Sequence, residues 1–120
     1  MAIILLVEDE MFIRQAAEWV LEDLGHTPLV AEDLSGALLH LSATQQIDAL
    51  FVDIRLAKLA FGGYDVANRA IGIRPDLRVL YTSGSPLTDD MSDLFVRDGQ
   101  FIQKPYSPEQ LEFSVRKLLH

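Results

Sequence analysis

Ala49-Leu50-Phe51-Val52-Asp53 is an unbroken apolar run that ends on a single carboxylate. Such a run reads as a strand buried on both faces, with its last residue pushed out at an edge of the sheet. An acid in that place can simply cap the next turn. It becomes a candidate nucleophile only if the ends of other strands bring it chemical partners.

The chain before this run supplies two more strands. Residues 2–7 are continuously apolar, and Glu8-Asp9-Glu10 ends them. Phe12, Ala16, Trp19, Val20 and Leu24 follow at helical spacing, and Gly25 is the stop. Phe12 and Trp19 are read as core. Residues 27–31 are a short strand, and Asp33 or Ser35 can cap a helix carrying Ala37, Leu38 and Leu41. Residues 47–52 then deliver Asp53.

After Asp53 comes a loop, residues 54–63, which contains Gly62-Gly63. Residues 64–71 read as a helix closed by Gly72 and Pro75, and residues 78–82 as a strand with Tyr81 in the core. Ser83-Gly84-Ser85-Pro86 turns into a weaker, acidic helix over residues 87–96. Asp98-Gly99 turns into a short strand, residues 101–103, ended by Lys104-Pro105. Ser107 and Gln110 form a capping box around Pro108, and Leu111, Val115, Leu118 and Leu119 make the last buried stripe. Apolar strands alternating with amphipathic helices imply an α/β fold, a parallel sheet covered on both faces. Ligands of such folds bind at the carboxyl ends of the strands.

The 120 residues correspond to about one domain, residues 1–120. A hydrophobic content of 49% argues against disorder, and the absence of cysteine excludes disulfides, thiolate metal sites and a cysteine nucleophile. It also fits a reducing, cytoplasmic compartment. A net charge of -8 opposes direct contact with nucleic acid or an anionic membrane. No apolar run reaches the ~20 residues of a membrane span, and the apolar start lacks the basic flank of a signal peptide. His26, His40 and His120 have no acidic or hydroxyl partners at suggestive spacing and are read as surface residues.

The strand-end rule gathers Glu8, Asp9, Asp53, Ser83 and Lys104 on one rim. Three carboxylates held together repel unless a cation offsets them. Mg²⁺ is such a cation: it takes oxygen ligands and is commonly held by one or two carboxylates. A carboxylate can also attack phosphorus, and phosphoryl transfer needs chiefly positioning and neutralised oxygens. Thr82 and Ser83 compete for the hydroxyl role, because adjacent strand residues face opposite ways.

Leu5-Leu6-Val7-Glu8-Asp9-Glu10, Phe51-Val52-Asp53-Ile54-Arg55-Leu56, Val79-Leu80-Tyr81-Thr82-Ser83-Gly84 and Phe101-Ile102-Gln103-Lys104-Pro105-Tyr106 together resemble, in order and spacing, the signature blocks of response-regulator receiver domains. The resemblance implies a flavodoxin-like, doubly wound five-stranded parallel sheet of strand order 2-1-3-4-5. It implies Mg²⁺ held by Glu8 or Asp9, by Asp53 and by the backbone carbonyl of Arg55. It implies that Asp53 accepts phosphate from a histidine kinase or histidine phosphotransfer protein. Ser83, favoured over Thr82 by the small Gly84 after it, would follow the phosphate with Phe101 as the switch pair, and Lys104 would pair with it. The Lys104-Pro105 bond is often cis in this family. The loop of residues 54–63 is longer than usual there, and Ala57 stands near a common proline position.

The function expected is a stand-alone phosphoacceptor response regulator in a two-component or phosphorelay pathway, not an enzyme beyond its own phosphoryl transfer and dephosphorylation. It would signal to a downstream protein through the surface of its fourth helix, fifth strand and fifth helix. One alternative is an aspartate-nucleophile phosphatase, but Ile54-Arg55 stand where such enzymes place a second acid. Another is a receiver-like interaction module that is never phosphorylated. A flavodoxin is disfavoured because Glu8-Asp9 would repel flavin phosphate.

Overall fold

β3 (Ala49–Asp53) runs through the middle of a five-stranded parallel sheet, and all of its residues are buried. In the computed structural model, which describes all residues except 57 and 60, the sheet order is β2-β1-β3-β4-β5. The other strands are β1 (Ile3–Val7), β2 (Thr27–Ala31), β4 (Arg78–Ser83) and β5 (Gln100–Gln103). The helices between them are α1 (Met11–Asp23), α2 (Leu34–Ser42), α3 (Gly62–Ile73), α4 (Asp89–Ser92) and α5 (Pro108–Leu119). This is the expected flavodoxin-like order. Among the described residues no helix is long and apolar enough to cross a membrane.

Successive strand residues enter opposite layers, as the two-residue period of a strand requires. Val7, Leu50, Val52 and Tyr81 pack with Ala37, Leu41, Val66 and Ala70 of α2 and α3. Ile4, Phe51 and Leu80 pack with Ala17 and Leu21 of α1 and with Leu111, Val115 and Leu118 of α5. The register aligns the carboxyl ends: Val7 pairs with Val52, Asp53 with Thr82 and Ser83 with Gln103. Glu8, Asp53, Ser83 and Lys104 therefore emerge along one edge.

Several expectations need correcting. Phe12 and Trp19 are not core; they are 79% and 58% exposed. Two apolar stripes run along α1, and the sheet takes the one carrying Ala17 and Leu21, with Ile13 and Val20 half-buried beside them. The small Ala17 lets the helix lie close to the strands, which leaves the aromatic stripe of Phe12, Ala16 and Trp19 outside. The helix expected over residues 87–96 shrinks to the single turn Asp89–Ser92. Its C-terminal half is held by β4 instead: the Tyr81 hydroxyl accepts the Val96 N–H at 2.9 Å, and Phe95 stacks on Tyr81 at 4.1 Å. His26 is not a plain surface residue, because its ring Nδ1 accepts the Ala2 N–H at 3.0 Å.

Other local expectations hold. Asp33, not Ser35, caps α2 by accepting the Gly36 N–H at 2.9 Å. Ser107 and Gln110 form the capping box of α5. Tyr81 is fully buried. The Lys104–Pro105 bond is cis. Ala57 lies outside the described residues.

Candidate functional site

Glu8 and Asp53 are 3% and 6% exposed, an unusual state for carboxylates. The strands deliver them there. Each continues a buried apolar run, so each acid is trapped at the sheet edge by the packing of the residues before it. Lys104 answers both. Its ammonium donates to Asp53 Oδ2 at 3.1 Å and to Glu8 Oε1 at 3.2 Å. The second oxygen of each acid takes a backbone donor: Arg55 N–H to Asp53 Oδ1 at 3.2 Å, and Glu10 N–H to Glu8 Oε2 at 3.2 Å. Arg14 holds the strand end from outside, donating to the Glu8 carbonyl at 2.9 Å.

Burial pushes the Glu8 carboxyl up from 4.5 to about 7, and the neighbouring Asp53 charge adds to the rise. For Lys104, burial acts downward but is outweighed by the hydrogen bond to Asp53 and by the Glu8 and Asp53 charges, which hold the ammonium above its ordinary range. Tyr106 packs on Phe51 at 5.9 Å between ring centres. Burial and the charges of Glu8 and Asp53 push its hydroxyl up to about 12.

Oxygens of Glu8, Asp9 and Asp53 lie within 4.8 Å of one another. This all-oxygen, acidic donor set fits a hard divalent cation and could hold one. A consequence follows for the cation-free protein. The Glu8 carboxyl is raised in the folded state, so the folded chain binds more protons than the unfolded one between pH 4.5 and about 7. Stability is then full below pH 4.5 and falls as pH rises through this window, by roughly 2–3 kcal/mol. Melts with chelator present are expected to show this slope, and Glu8→Gln to flatten it. A parent protein whose melting point does not fall over that range would contradict the assignment.

Asp9, Asp53, Arg55, Ser83 and Lys104 line one cavity of about 320 Å³, together with Glu10, Ile13, Lys58, Gly84 and Ser85. Ser83 thus reaches the site and Thr82 does not line it. Ser83 Oγ accepts the Ser85 N–H at 3.1 Å, whereas the Thr82 hydroxyl is buried without a partner among the described residues. Phe101 lies apart from this cavity. It stacks on Phe95 at 6.3 Å, the outer end of a run of rings through Tyr81 and Tyr64. The structure thus brings Glu8, Asp9, Asp53, Arg55, Ser83 and Lys104 together and leaves Phe101 one layer away.

Residues that sequence reasoning missed are Lys58, Gly63 and Tyr106. Gly63 is the close approach that seats α3 against Asp53: a Cβ there would stand 2.6 Å from Ile54 Cα. Its signal was the Gly62-Gly63 pair at the end of the loop. Lys58 carried no signal. A second groove, of about 560 Å³, adjoins the site on the α1 side, lined by Phe12, Ile13, Val20, Lys104, Pro105 and Tyr106.

A doubly wound parallel sheet with buried acids and a lysine at its carboxyl edge defines the class: a flavodoxin-like α/β domain with an acidic, lysine-bridged site. Residues 4–116 match the response regulator receiver domain family, and the chain belongs to that family. A probable transcriptional regulator ycf27 of Guillardia theta is 31% identical over 119 residues, covering 97% of this chain and 44% of that protein. The chain spans less than half the length of the curated relatives it matches. A response regulator receiver protein from Sinorhizobium medicae superposes with a TM-score of 0.86 at 29% identity, covering 98% of this chain and 94% of that one. A CheY-like receiver domain protein from Methanospirillum hungatei, 21% identical, shares the fold with a TM-score of 0.85, over 99% of this chain and 94% of its own.

Proposed function

We propose that Asp53 is the phosphoacceptor of this receiver domain, loaded by a phosphohistidine of a histidine kinase or histidine phosphotransfer protein. The supporting observation is the Lys104 ammonium bridging Asp53 and Glu8 at 3.1 and 3.2 Å, in a cavity it shares with Ser83. An Asp53 carboxylate oxygen bonds to phosphorus while the phosphorus–nitrogen bond of the donor breaks, its electron pair passing to the imidazole. Lys104 turns from Asp53 to the transferred group and neutralises one of its oxygens. The Ser83 hydroxyl accepts from Ser85, so its own hydrogen is available to a phosphoryl oxygen. Mg²⁺ held by Glu8, Asp9, Asp53 and the Arg55 backbone carbonyl would offset the remaining phosphoryl charge.

Phosphorylation adds charge and acceptor oxygens on Asp53, in the cavity that Ser83 of β4 shares with it. The output reads this change through Phe101 and the α4–β5–α5 surface, which a downstream protein contacts. The domain's chemistry is confined to its own phosphorylation and dephosphorylation, in the cytoplasm. Its -8 charge leaves direct nucleic-acid contact to other parts of a pathway. Acetyl phosphate with Mg²⁺ is the test. Labelling that stops at one phosphate per chain supports the reading. Continuous turnover of a phosphomonoester would favour the phosphatase, and no labelling, with no effect of Mg²⁺ on melting, the inert module.

The protein donor must bring its histidine to Asp53 across the rim, and the exposed apolar groove of Phe12, Val20 and Tyr106 adjoins it through Lys104. Phe12→Asp is expected to slow transfer from a phosphorylated donor protein by ~10-fold or more, about the effect of losing one apolar anchor. Labelling by acetyl phosphate should be unchanged. Equal loss with both donors would show that Phe12 acts on the site itself, not on docking.

A further inference from the structure

Among the described residues, two other than glycine have a left-handed backbone, Lys58 and Asp98, both with φ 64°. Asp98 is of a type that tolerates this region, and Gly99 follows it. Lysine is not. The Leu59 N–H donates to the Leu56 carbonyl at 2.9 Å, so Lys58 lies in a turn, and its positive φ there suits glycine or asparagine. Buried Leu56 anchors the turn. Unfavourable backbone held beside a functional site is a reason to look for a function in the side chain. Here that side chain lines the Asp53 cavity.

The electrostatics of the cavity define a task for it. A donor phosphate is an anion approaching Asp53 past Asp9 and Glu10, on a chain of net charge -8. Lys104 is engaged by two carboxylates before the donor arrives. Lys58 and Arg55, on the loop that leaves Asp53, are the other cations lining the cavity, and among the described residues neither forms an ion pair. We infer that Lys58 is a positioning residue for the donor: its ammonium meets the phosphoryl group at the mouth of the cavity and sets the rate at which small acyl phosphates load Asp53. The inference rests on Asp53 being the phosphoacceptor. In the step itself an Asp53 oxygen–phosphorus bond forms, the acyl oxygen–phosphorus bond breaks, and the electron pair leaves with the carboxylate. Lys58 changes no bond.

The test compares the parent, Lys58→Gly, Lys58→Glu and Lys58→Arg for labelling by acetyl phosphate with Mg²⁺. Lys58→Gly is expected to label about five- to tenfold more slowly at low ionic strength, and Lys58→Glu more slowly still. High salt should close most of the gap, because the interaction is exposed to solvent. Lys58→Arg should stay near the parent rate. Lys58→Gly should also melt no lower than the parent, since glycine suits the turn; a merely structural lysine would not give slower labelling with undiminished stability. Parent-like rates in Lys58→Gly and Lys58→Glu, with the parent labelling normally, would overturn the role of Lys58 alone. A parent that takes no label would overturn the phosphoacceptor reading and this inference with it.

Discussion

Asp53→Asn is expected to abolish covalent labelling by acetyl phosphate, from about one phosphate per chain to a level ~100-fold or more below it, because an amide oxygen is too poor a nucleophile toward phosphorus. The substitution is close to isosteric. The amide oxygen can still accept the Arg55 N–H, and Lys104 keeps its 3.2 Å contact to Glu8. One negative charge also leaves a crowded set of three acids, which lowers their repulsion. The variant should therefore melt at or slightly above the parent temperature, so lost labelling cannot be ascribed to lost fold. The Glu8 carboxyl gives an independent readout. The Asp53 charge helps push it up to about 7, so in Asp53→Asn its titration should move back toward 4.5. Label retained by Asp53→Asn at the parent level would remove Asp53 from the mechanism.

Gly63→Ala should be the most damaging of the glycine-to-alanine changes. The Gly63 N–H donates to the Ile54 carbonyl at 2.8 Å, drawing the start of α3 onto the end of β3. An added Cβ would meet backbone, at 2.6 Å from Ile54 Cα and 2.8 Å from the Asp53 carbonyl carbon. Backbone cannot rotate aside as a side chain can, so the helix or the strand end must move. Overpacking of this kind costs about 3 kcal/mol or more, a large share of a typical domain's stability. A fall of ~10 °C or more in Tm is expected, with Asp53 displaced in whatever fraction stays folded. Gly72→Ala is the control. It lies in the same helix with nothing within 4 Å of its added Cβ, and it should stabilise by roughly 0.5–1 kcal/mol. If both variants melt alike, the close approach at Gly63 is not rigid.

Much of the site was legible because it hangs on strand ends. An apolar run that stops at an acid, repeated at Glu8 and Asp53 and matched by Lys104, marks the carboxyl edge of a parallel sheet without any knowledge of side-chain geometry. What failed to read were choices between near-equal local alternatives. On α1 both stripes are apolar, and the sequence favoured the one with more aromatic surface. Packing against the sheet took the one with Ala17 and Leu21. At α4 the spacing offered a helix, but Phe95 gains more from stacking on Tyr81, and the Val96 N–H more from the Tyr81 hydroxyl, than from another helical turn.

The amino-acid sequence by itself determined the β–α alternation, the strand order through its family signature blocks, and the acids and lysine at the strand ends. The alternation and the strand ends follow from local hydrophobic patterns, whereas the strand order is what the resemblance of the signature blocks implies. Tertiary structure alone decided which hydroxyl lines the cavity, which face of α1 stays outside, where α4 ends, and that Lys58 reaches the Asp53 cavity. These depend on distances between segments remote in sequence, where small differences in packing and hydrogen bonding choose among conformations that the local sequence permits equally.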